Sequence, residues 1–283
     1  DSLRGMTTSP EATPSSQSET APLAPPLLRR ELSPLTLRDP FRWLSAGWRD
    51  LAEAKGIALF YGTAFWLMAV VLGAVFRHKP EYTMSFISGC FLIGPFLAMG
   101  LYEVSRRRER GLPQDLAASL TCWDKHLGSM GMLVLVVMLL ELLWGRASLV
   151  VFAVFFNTGM PSTASVVQAV FNLDNWRFIA VYLAVGGAFA TLVFSTCVVS
   201  IPMILDRDTD AITAGIASIH MVLGDPAVLS LWGLLIVILV VAALLLPWGA
   251  GLLLVGPWLG HASWHAYKGA FLWVEVPAES PAP

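Results

Sequence analysis

Hydrophobic residues in this chain are gathered into long runs that polar segments separate. The first four runs cover residues 56–76, 82–102, 127–156 and 178–205. Charges interrupt only the third of them, at Glu141 and Arg146. Crossing the hydrocarbon core of a bilayer takes about 20 apolar residues in a helix, which satisfies its own backbone hydrogen bonds there. Each run therefore predicts one membrane-spanning helix.

The last apolar stretch, residues 226–260, has 35 residues without a charge and is too long for one crossing. Its middle, Leu-Pro-Trp-Gly-Ala-Gly at 246–251, has the composition of a turn. Two helices are therefore expected here. The predicted fold is an all-α polytopic membrane protein with six transmembrane helices arranged in three hairpins.

A stretch of mixed polarity precedes each predicted hairpin, at 41–55, 113–126 and 211–224. We expect each stretch to form an amphipathic helix at the cytoplasmic interface of the membrane. The second helix of each hairpin contains a proline, Pro95, Pro202 or Pro257, where a kink is expected. This pattern favours an internal repeat of three units. Prolines that arose independently in membrane helices would give the same pattern.

Composition agrees with a membrane protein and excludes other classes. Hydrophobic residues make up 56% of the chain and charged residues only 13%, whereas soluble domains have about 25% charged residues. The formal charge of -2 provides no basic surplus for binding a nucleic acid. Three cysteines cannot form a disulfide framework.

The two ends of the chain differ from the apolar part. Residues 1–40 contain seven Pro, six Ser and five Thr, a composition that does not bury enough apolar surface to order a segment. They are predicted to form a cytoplasmic arm that is either disordered or docked on a partner. Residues 41–272 form the predicted transmembrane domain, and residues 273–283 a short C-terminal tail.

The distribution of basic residues predicts the orientation. With six crossings, fourteen Lys and Arg residues lie on the side of the termini and four on the other side. Positive residues favour the cytoplasmic side, so both termini are expected in the cytoplasm.

One group of polar residues follows the three prolines at helical spacing. Asp206 and His261 lie four residues after Pro202 and Pro257. The residues that lie eight positions after the three prolines are Glu103, Asp210 and His265. Positions four and eight residues after a proline share one helical face. If the second helices surround a pseudo-threefold axis, these side chains converge at the cytoplasmic mouth. Such a cluster could bind a divalent metal, relay protons or be solvated at the interface.

His261 and His265 lie one helical turn apart, as a metal or haem ligand pair would. The glutamate of a zinc hydrolase motif is absent between them, so a hydrolytic zinc site is not expected. We predict no bound cofactor, while metal or haem binding through this pair stays open.

Glu141 is the one acidic residue deep inside a predicted span. An ionised carboxylate there costs several kcal/mol unless it is paired, so we expect it to face protein or water. Arg146 is five residues away on a different face, which places the expected partner on another helix. Glu141 would serve as a proton or substrate contact, or as a protonated hydrogen-bonding group between helices.

Several segments resemble a known family. They read Ile-Gly-Pro-Phe-Leu at 93–97, Gly-Leu-Tyr-Glu-Val-Ser-Arg-Arg at 100–107, Ser-Ile-Pro-Met-Ile-Leu-Asp at 200–206 and Gly-His-Ala-Ser-Trp-His-Ala-Tyr at 260–267. The chain resembles, over about residues 39–268, the uncharacterised proteobacterial integral-membrane proteins grouped as domain of unknown function twenty-one eighty-nine. The resemblance implies a six-helix protein of the bacterial inner membrane and supplies no substrate.

Glycine-rich phosphate loops, paired Cys-x-x-Cys motifs and a supported Ser/His/Asp set are missing, so no enzyme activity is predicted. The favoured function is an accessory or assembly subunit of a larger inner-membrane complex, with the lipid bilayer and other membrane subunits as partners. The first alternative is a small-solute or ion transporter or channel that uses Glu141 and the helix-end cluster. The second is metal or haem binding through His261 and His265.

Overall fold

The computed structural model describes residues 27–32, 34–79, 82–156 and 172–276. Residues 1–26 and 33 of the predicted arm lie outside this part of the chain, as do residues 277–283 of the predicted tail. The compact helical unit extends from Glu31 to Leu272.

Helices dominate the described residues, as the hydrophobic runs predict. The helices are α1 (Asp39–Glu53), α2 (Lys55–His78), α3 (Thr83–Glu109), α4 (Leu116–Thr121), α5 (Leu127–Phe155), α6 (Trp176–Cys197), α7 (Ser200–Arg207), α8 (Ala211–Gly224), α9 (Pro226–Leu245) and α10 (Leu252–Ala270). Short 3₁₀ turns precede α5, α6 and α10.

Two short strands were not predicted. β1 (Leu27–Leu32) and β2 (Phe271–Val276) pair as a two-stranded sheet. β2 reads Phe-Leu-Trp-Val-Glu-Val, and β-branched and aromatic residues of this kind favour strands. The all-α class therefore describes the helical unit, and this small sheet is an addition to it.

Five helical segments among the described residues are long and apolar enough to cross a membrane. They are Lys55–His78, Phe86–Glu109, Leu116–Phe155, Trp176–Arg207 and Pro226–Leu245. They correspond to the first five predicted crossings, and the chain is an integral membrane protein with several apolar helices. The sixth predicted helix is present as α10, which is not among the five. Its 19 residues include two histidines and Lys268, which lower its hydropathy.

α10 packs against five other described helices, which are α1, α2, α3, α7 and α9. Glycines allow the close approach. A Cβ atom added to Gly62 of α2 would lie 2.1 Å from the carbonyl oxygen of Leu253, and one added to Gly260 would lie 2.4 Å from Leu101 Cδ1. Because real Cβ atoms do not approach other atoms so closely, a larger residue at Gly62 would push α2 away from the backbone of α10, and one at Gly260 would require the Leu101 side chain to move.

α5 and α6 form a second packed region, in which aromatic side chains fill the interface. The Trp144 ring lies 5.1 Å from the Tyr182 ring, centroid to centroid, and 5.9 Å from the ring of Phe189. Closer to the connection between the two helices, Phe178 packs edge-on against Phe152. Such edge-to-face contacts are favourable arrangements for aromatic pairs.

The three prolines have different surroundings. Pro95 lies inside α3 and Pro257 inside α10. Pro202 lies in the first turn of α7, because the predicted helix at 178–205 is interrupted at Val198 and Val199. A proline is tolerated in a first turn, where its missing N–H leaves no hydrogen bond unmade.

The stretches predicted as interfacial helices also differ from one another. α1 covers most of 41–55 and α8 covers 211–224, whereas 113–126 contains only the short α4 and a 3₁₀ turn. α8 buries mainly small residues, together with Met221, and exposes four large apolar ones. The exposed set is Ile212, Ile216, Ile219 and Leu223.

Candidate functional site

A carboxylate of α1 is the centre of a polar network at one end of the helices. Asp50 is 1% exposed, and its Oδ2 accepts hydrogen bonds from Ser105 Oγ (2.5 Å) and His265 Nε2 (2.9 Å). The guanidinium of Arg108 pairs with the other oxygen, Oδ1. Ser105 and Arg108 belong to α3 and His265 to α10, so one carboxylate joins three helices.

These partners favour the ionised form of the Asp50 carboxyl group. Burial raises the pKa of the carboxyl group, because a buried carboxylate loses its hydration. Hydrogen bonds from His265 and Ser105, together with the positive charge that histidine carries when protonated, lower it, and the net pKa lies below the ordinary value. Asp50 is therefore ionised at neutral pH.

Small residues determine how Asp50 reaches this position. A Cβ atom on Gly47 of α1 would lie 2.5 Å from the backbone nitrogen of Ala262, so the backbones of α1 and α10 are in close contact. One turn after Gly47, Asp50 faces the same helix. Trp43 fills the space beside Gly269 of α10, with its Nε1 2.8 Å from where a Cβ would lie.

The tautomer of His261 follows from the hydrogen bonds of its neighbour. Ser105 has a single hydroxyl proton, which it donates to Asp50. In its contact with His261 Nδ1 at 2.8 Å, Ser105 Oγ must therefore accept, and Nδ1 carries the proton. His261 Nε2 is then an acceptor, and it is buried without a hydrogen-bond partner among the described residues.

The network continues toward the end of α3. Lys268 Nζ lies 3.8 Å from Glu109 Oε2 and 3.6 Å from Asp206 Oδ2. Asp206 also accepts a hydrogen bond from Tyr267 Oη (3.0 Å) and pairs with Arg110 (3.3 Å). His265 lies between the two halves, with its Nδ1 3.9 Å from Oε1 of Glu109.

The structure brings together three of the five residues predicted for the helix-end cluster, namely Asp206, His261 and His265. Glu103 pairs with Arg106 of its own helix at 2.5 Å. Asp210 is not part of this network. Its carboxylate caps α8 by accepting from the backbone N–H groups of Ile212 and Thr213. The expected convergence of Glu103, Asp210 and His265 is therefore corrected, because the break after α7 places Asp210 at a helix start.

Asp50, Ser105 and Arg108 hold the network together and were not predicted from the sequence. The sequence did contain an indication of a role for Asp50. Asp50 lies three residues after Gly47 and seven after Trp43, on the buried face of α1. An acidic residue on the apolar face of an amphipathic helix needs a buried partner.

Glu141 lies in the middle of α5 and is 6% exposed. Its Oε2 accepts a hydrogen bond of 2.8 Å from Ser88 Oγ of α3. The partner is thus on another helix, as the separation from Arg146 indicates. A hydroxyl donor suits either protonation state of this carboxyl group.

One face of α6 is made of small residues and is open to its surroundings in the described part of the chain. Its members are all exposed and are Ala180, Ala184, Gly187, Ala188 and Thr191. A Cβ atom on Gly187 would meet nothing within 4 Å, whereas one on the adjacent Gly186 would lie 3.0 Å from Trp144. We refer to the five residues as the α6 small face.

Residues 83–206 match a family model described as a predicted integral membrane protein (DUF2189). The match confirms the resemblance seen in the sequence, over a shorter part of the chain than residues 39–268. No curated protein and no solved structure matches the chain.

The matched segment runs from α3 to α7. It contributes Ser105, Arg108 and Asp206 to the network, while Asp50 and His265 come from helices on either side of it. The network therefore attaches α1 and α10 to the segment that the family model covers.

The geometry of the network gives no support to a metal site. Within the described ranges, no group of three or more His, Cys, Asp or Glu side chains could hold a metal ion. His261 and His265 are hydrogen-bonded to Ser105 and Asp50 through one nitrogen each. Metal or haem binding by this pair stays a prediction.

Proposed function

We propose that this chain is a non-enzymatic accessory or assembly subunit of a larger complex in the bacterial inner membrane. The observation that carries the proposal is the α6 small face, which no described part of the chain covers. We propose that a transmembrane helix of another subunit packs there.

The chemistry of this face favours a helix over lipid as its neighbour. Large apolar side chains pack well against lipid chains, and Leu192, which is 52% exposed on the same helix, is one of this kind. Small residues spaced four apart, as Ala180, Ala184 and Ala188 are, let another helix backbone approach closely. Close approach improves van der Waals packing, which drives association of helices in a bilayer.

The polar network supports a structural role. Ser105 is fully buried and donates its proton to a carboxylate, which is not the arrangement of an activated nucleophile. Asp50 forms an ion pair with Arg108 and a hydrogen bond with His265, and these contacts join three helices. We infer that the network fixes α1 and α10 to α3 and so gives the subunit a rigid body for assembly.

The proposed topology has six crossings with α10 as the sixth, and both termini in the cytoplasm. A short helix followed by two longer ones occurs three times among the described helices, beginning at α1, α4 and α8, with the short α7 as an addition after the second unit. This order supports the proposed internal repeat. The basic residues on the side of the termini support the orientation.

Extraction from native membranes in a mild detergent tests the proposal. We expect the protein to elute in a complex with a stoichiometric partner, and we expect Ala184→Leu to release it as a smaller species. Ala242→Leu, at an exposed position of α9, is the matched control and leaves the complex intact. A protein that elutes alone, or an equal effect of both variants, contradicts the proposal.

Transport is the second candidate, because the buried Glu141 has a neutral partner, Ser88, in the middle of a span. A carboxyl group in such a place is typical of proton or substrate pathways. In proteoliposomes, Glu141→Gln would then abolish flux, and Glu53→Gln, at a half-exposed carboxylate in α1, would not. Unchanged flux in Glu141→Gln removes this candidate.

A further inference from the structure

A cavity of about 370 Å³ lies between the end of α2 and the turn that joins α9 to α10. Its walls are apolar and include Ala69, Val70, Gly73 and Leu244. A Cβ atom on Gly73 would meet nothing within 4 Å, so the glycine faces open space. The volume is within the range of about 300–1,000 Å³ that is typical of ligand sites.

The mouth of this cavity is basic. Arg77 and His78, in the last turn of α2, are among its lining residues, and none of these is acidic. The last turn of a membrane-spanning helix lies where the hydrocarbon meets the headgroups. The cavity therefore combines an apolar interior with positive charge at headgroup level.

Trp248 holds Arg77 at this place. The guanidinium carbon lies 5.6 Å from the centre of the indole ring, as in a cation–π contact. Trp248 has φ 61°, a left-handed conformation that is unfavourable for residues other than glycine. Its carbonyl oxygen accepts a hydrogen bond of 3.1 Å from Trp66 Nε1, which fixes the turn.

We propose that this cavity binds an anionic phospholipid, with one acyl chain in the apolar interior and the phosphate against Arg77 and His78. Guanidinium groups bind phosphate oxygens through charge-assisted hydrogen bonds. Fatty chains fit the Ala, Val, Gly and Leu walls, which have no hydrogen-bonding side chain.

Another pair of a basic and an aromatic residue in the described part of the chain supplies a matched control. Arg177 lies over the ring of Trp176, with 5.4 Å between its guanidinium carbon and the ring centre. The cavity beside it includes Asp174, whose charge opposes an anionic headgroup. Arg177→Gln thus removes the same kind of contact at a site where no anionic lipid is expected.

Native mass spectrometry of the detergent-purified full chain tests the proposal, with dioleoyl phosphatidylglycerol and dioleoyl phosphatidylcholine as probes. We expect the anionic lipid to bind about tenfold more tightly than the zwitterionic one. Arg77→Gln removes this preference, and Arg177→Gln does not. Gly73→Leu fills the cavity and abolishes binding, whereas Gly56→Leu, at an open position of the same helix, retains it.

Equal binding of the two lipids overturns the proposal, and so does an equal effect of Arg77→Gln and Arg177→Gln. Binding retained in Gly73→Leu places the lipid elsewhere and overturns it as well. Size-exclusion chromatography shows whether Gly73→Leu is folded. If it is not, the comparison of the two arginine variants decides the question alone.

Discussion

The packing of α1, α3 and α10 differs from that of α5 and α6. In the first region, glycines bring backbones into contact and a buried carboxylate joins three helices. In the second, aromatic rings fill one face of α6 and small residues leave the opposite face open within the described residues. In the first region, the described helices of this chain pack against one another. In the second region, the α6 small face is exposed and could receive a helix of another subunit. This difference leads to the proposed role as a subunit.

The largest effect is expected at Gly62, where α2 meets the backbone of α10. In Gly62→Val, the new side chain would collide with the carbonyl group of Leu253, which cannot move without displacing its helix. We expect a loss of about 4 kcal/mol in stability in detergent, measured by thermal unfolding and by the yield of monodisperse protein. Gly56→Val, in open space on the same helix, should behave like the natural chain. Equal stability of the two variants would show that α2 and α10 are not in contact.

A somewhat smaller loss is expected from Asp50→Ala, which removes the buried carboxylate shared by Arg108 and His265, while Arg108 keeps its ion pair with Glu53. Removing one partner of a buried ion pair costs about 3–5 kcal/mol. The partial exposure of Arg108 and its second ion pair with Glu53 favour a loss no larger than the lower value, about 3 kcal/mol. Because the folded-state pKa of Asp50 is lowered, its contribution is complete above about pH 4 and is lost as the pH falls further.

Asp210→Ala is the control for this variant, since the exposed carboxylate of Asp210 only caps α8. Chemical or thermal unfolding at neutral pH should show a smaller loss for it than for Asp50→Ala. A smaller loss in Asp50→Ala than in Asp210→Ala would contradict the account of the network.

The smallest effect is expected from substitutions at two adjacent glycines, Gly186 and Gly187, which lie on different faces of α6. Gly186→Leu would press on Trp144 and cost about 2 kcal/mol in detergent. Gly187→Leu should leave thermal stability of the isolated protein unchanged, because its side chain enters open space. If Gly187→Leu destabilises the purified chain as much as Gly186→Leu does, then the chain itself covers the α6 small face.

Hydrophobic run length was sufficient to predict the first five spans, because crossing a bilayer is a property of each segment alone. α10 was located correctly by the turn at 246–251, but its packing against five helices was not visible in its composition. The Asp50 network depends on residues 50, 105 and 265, which only tertiary structure brings together. Gly186 and Gly187 could not be distinguished from the sequence for the same reason. Only the tertiary structure shows that Trp144 packs near Gly186, whereas Gly187 faces open space.

Cross-linking in intact native membranes tests the proposed role most directly. A photoreactive residue placed at Ala184 lies on the α6 small face, and one placed at Ala242 lies on an exposed face of α9. We predict one discrete product of higher mass from position 184 and none from position 242. The mass of that product distinguishes another subunit from a second copy of this chain. Product at monomer mass only, or equal products from both positions, would contradict the claim that this face receives a partner helix.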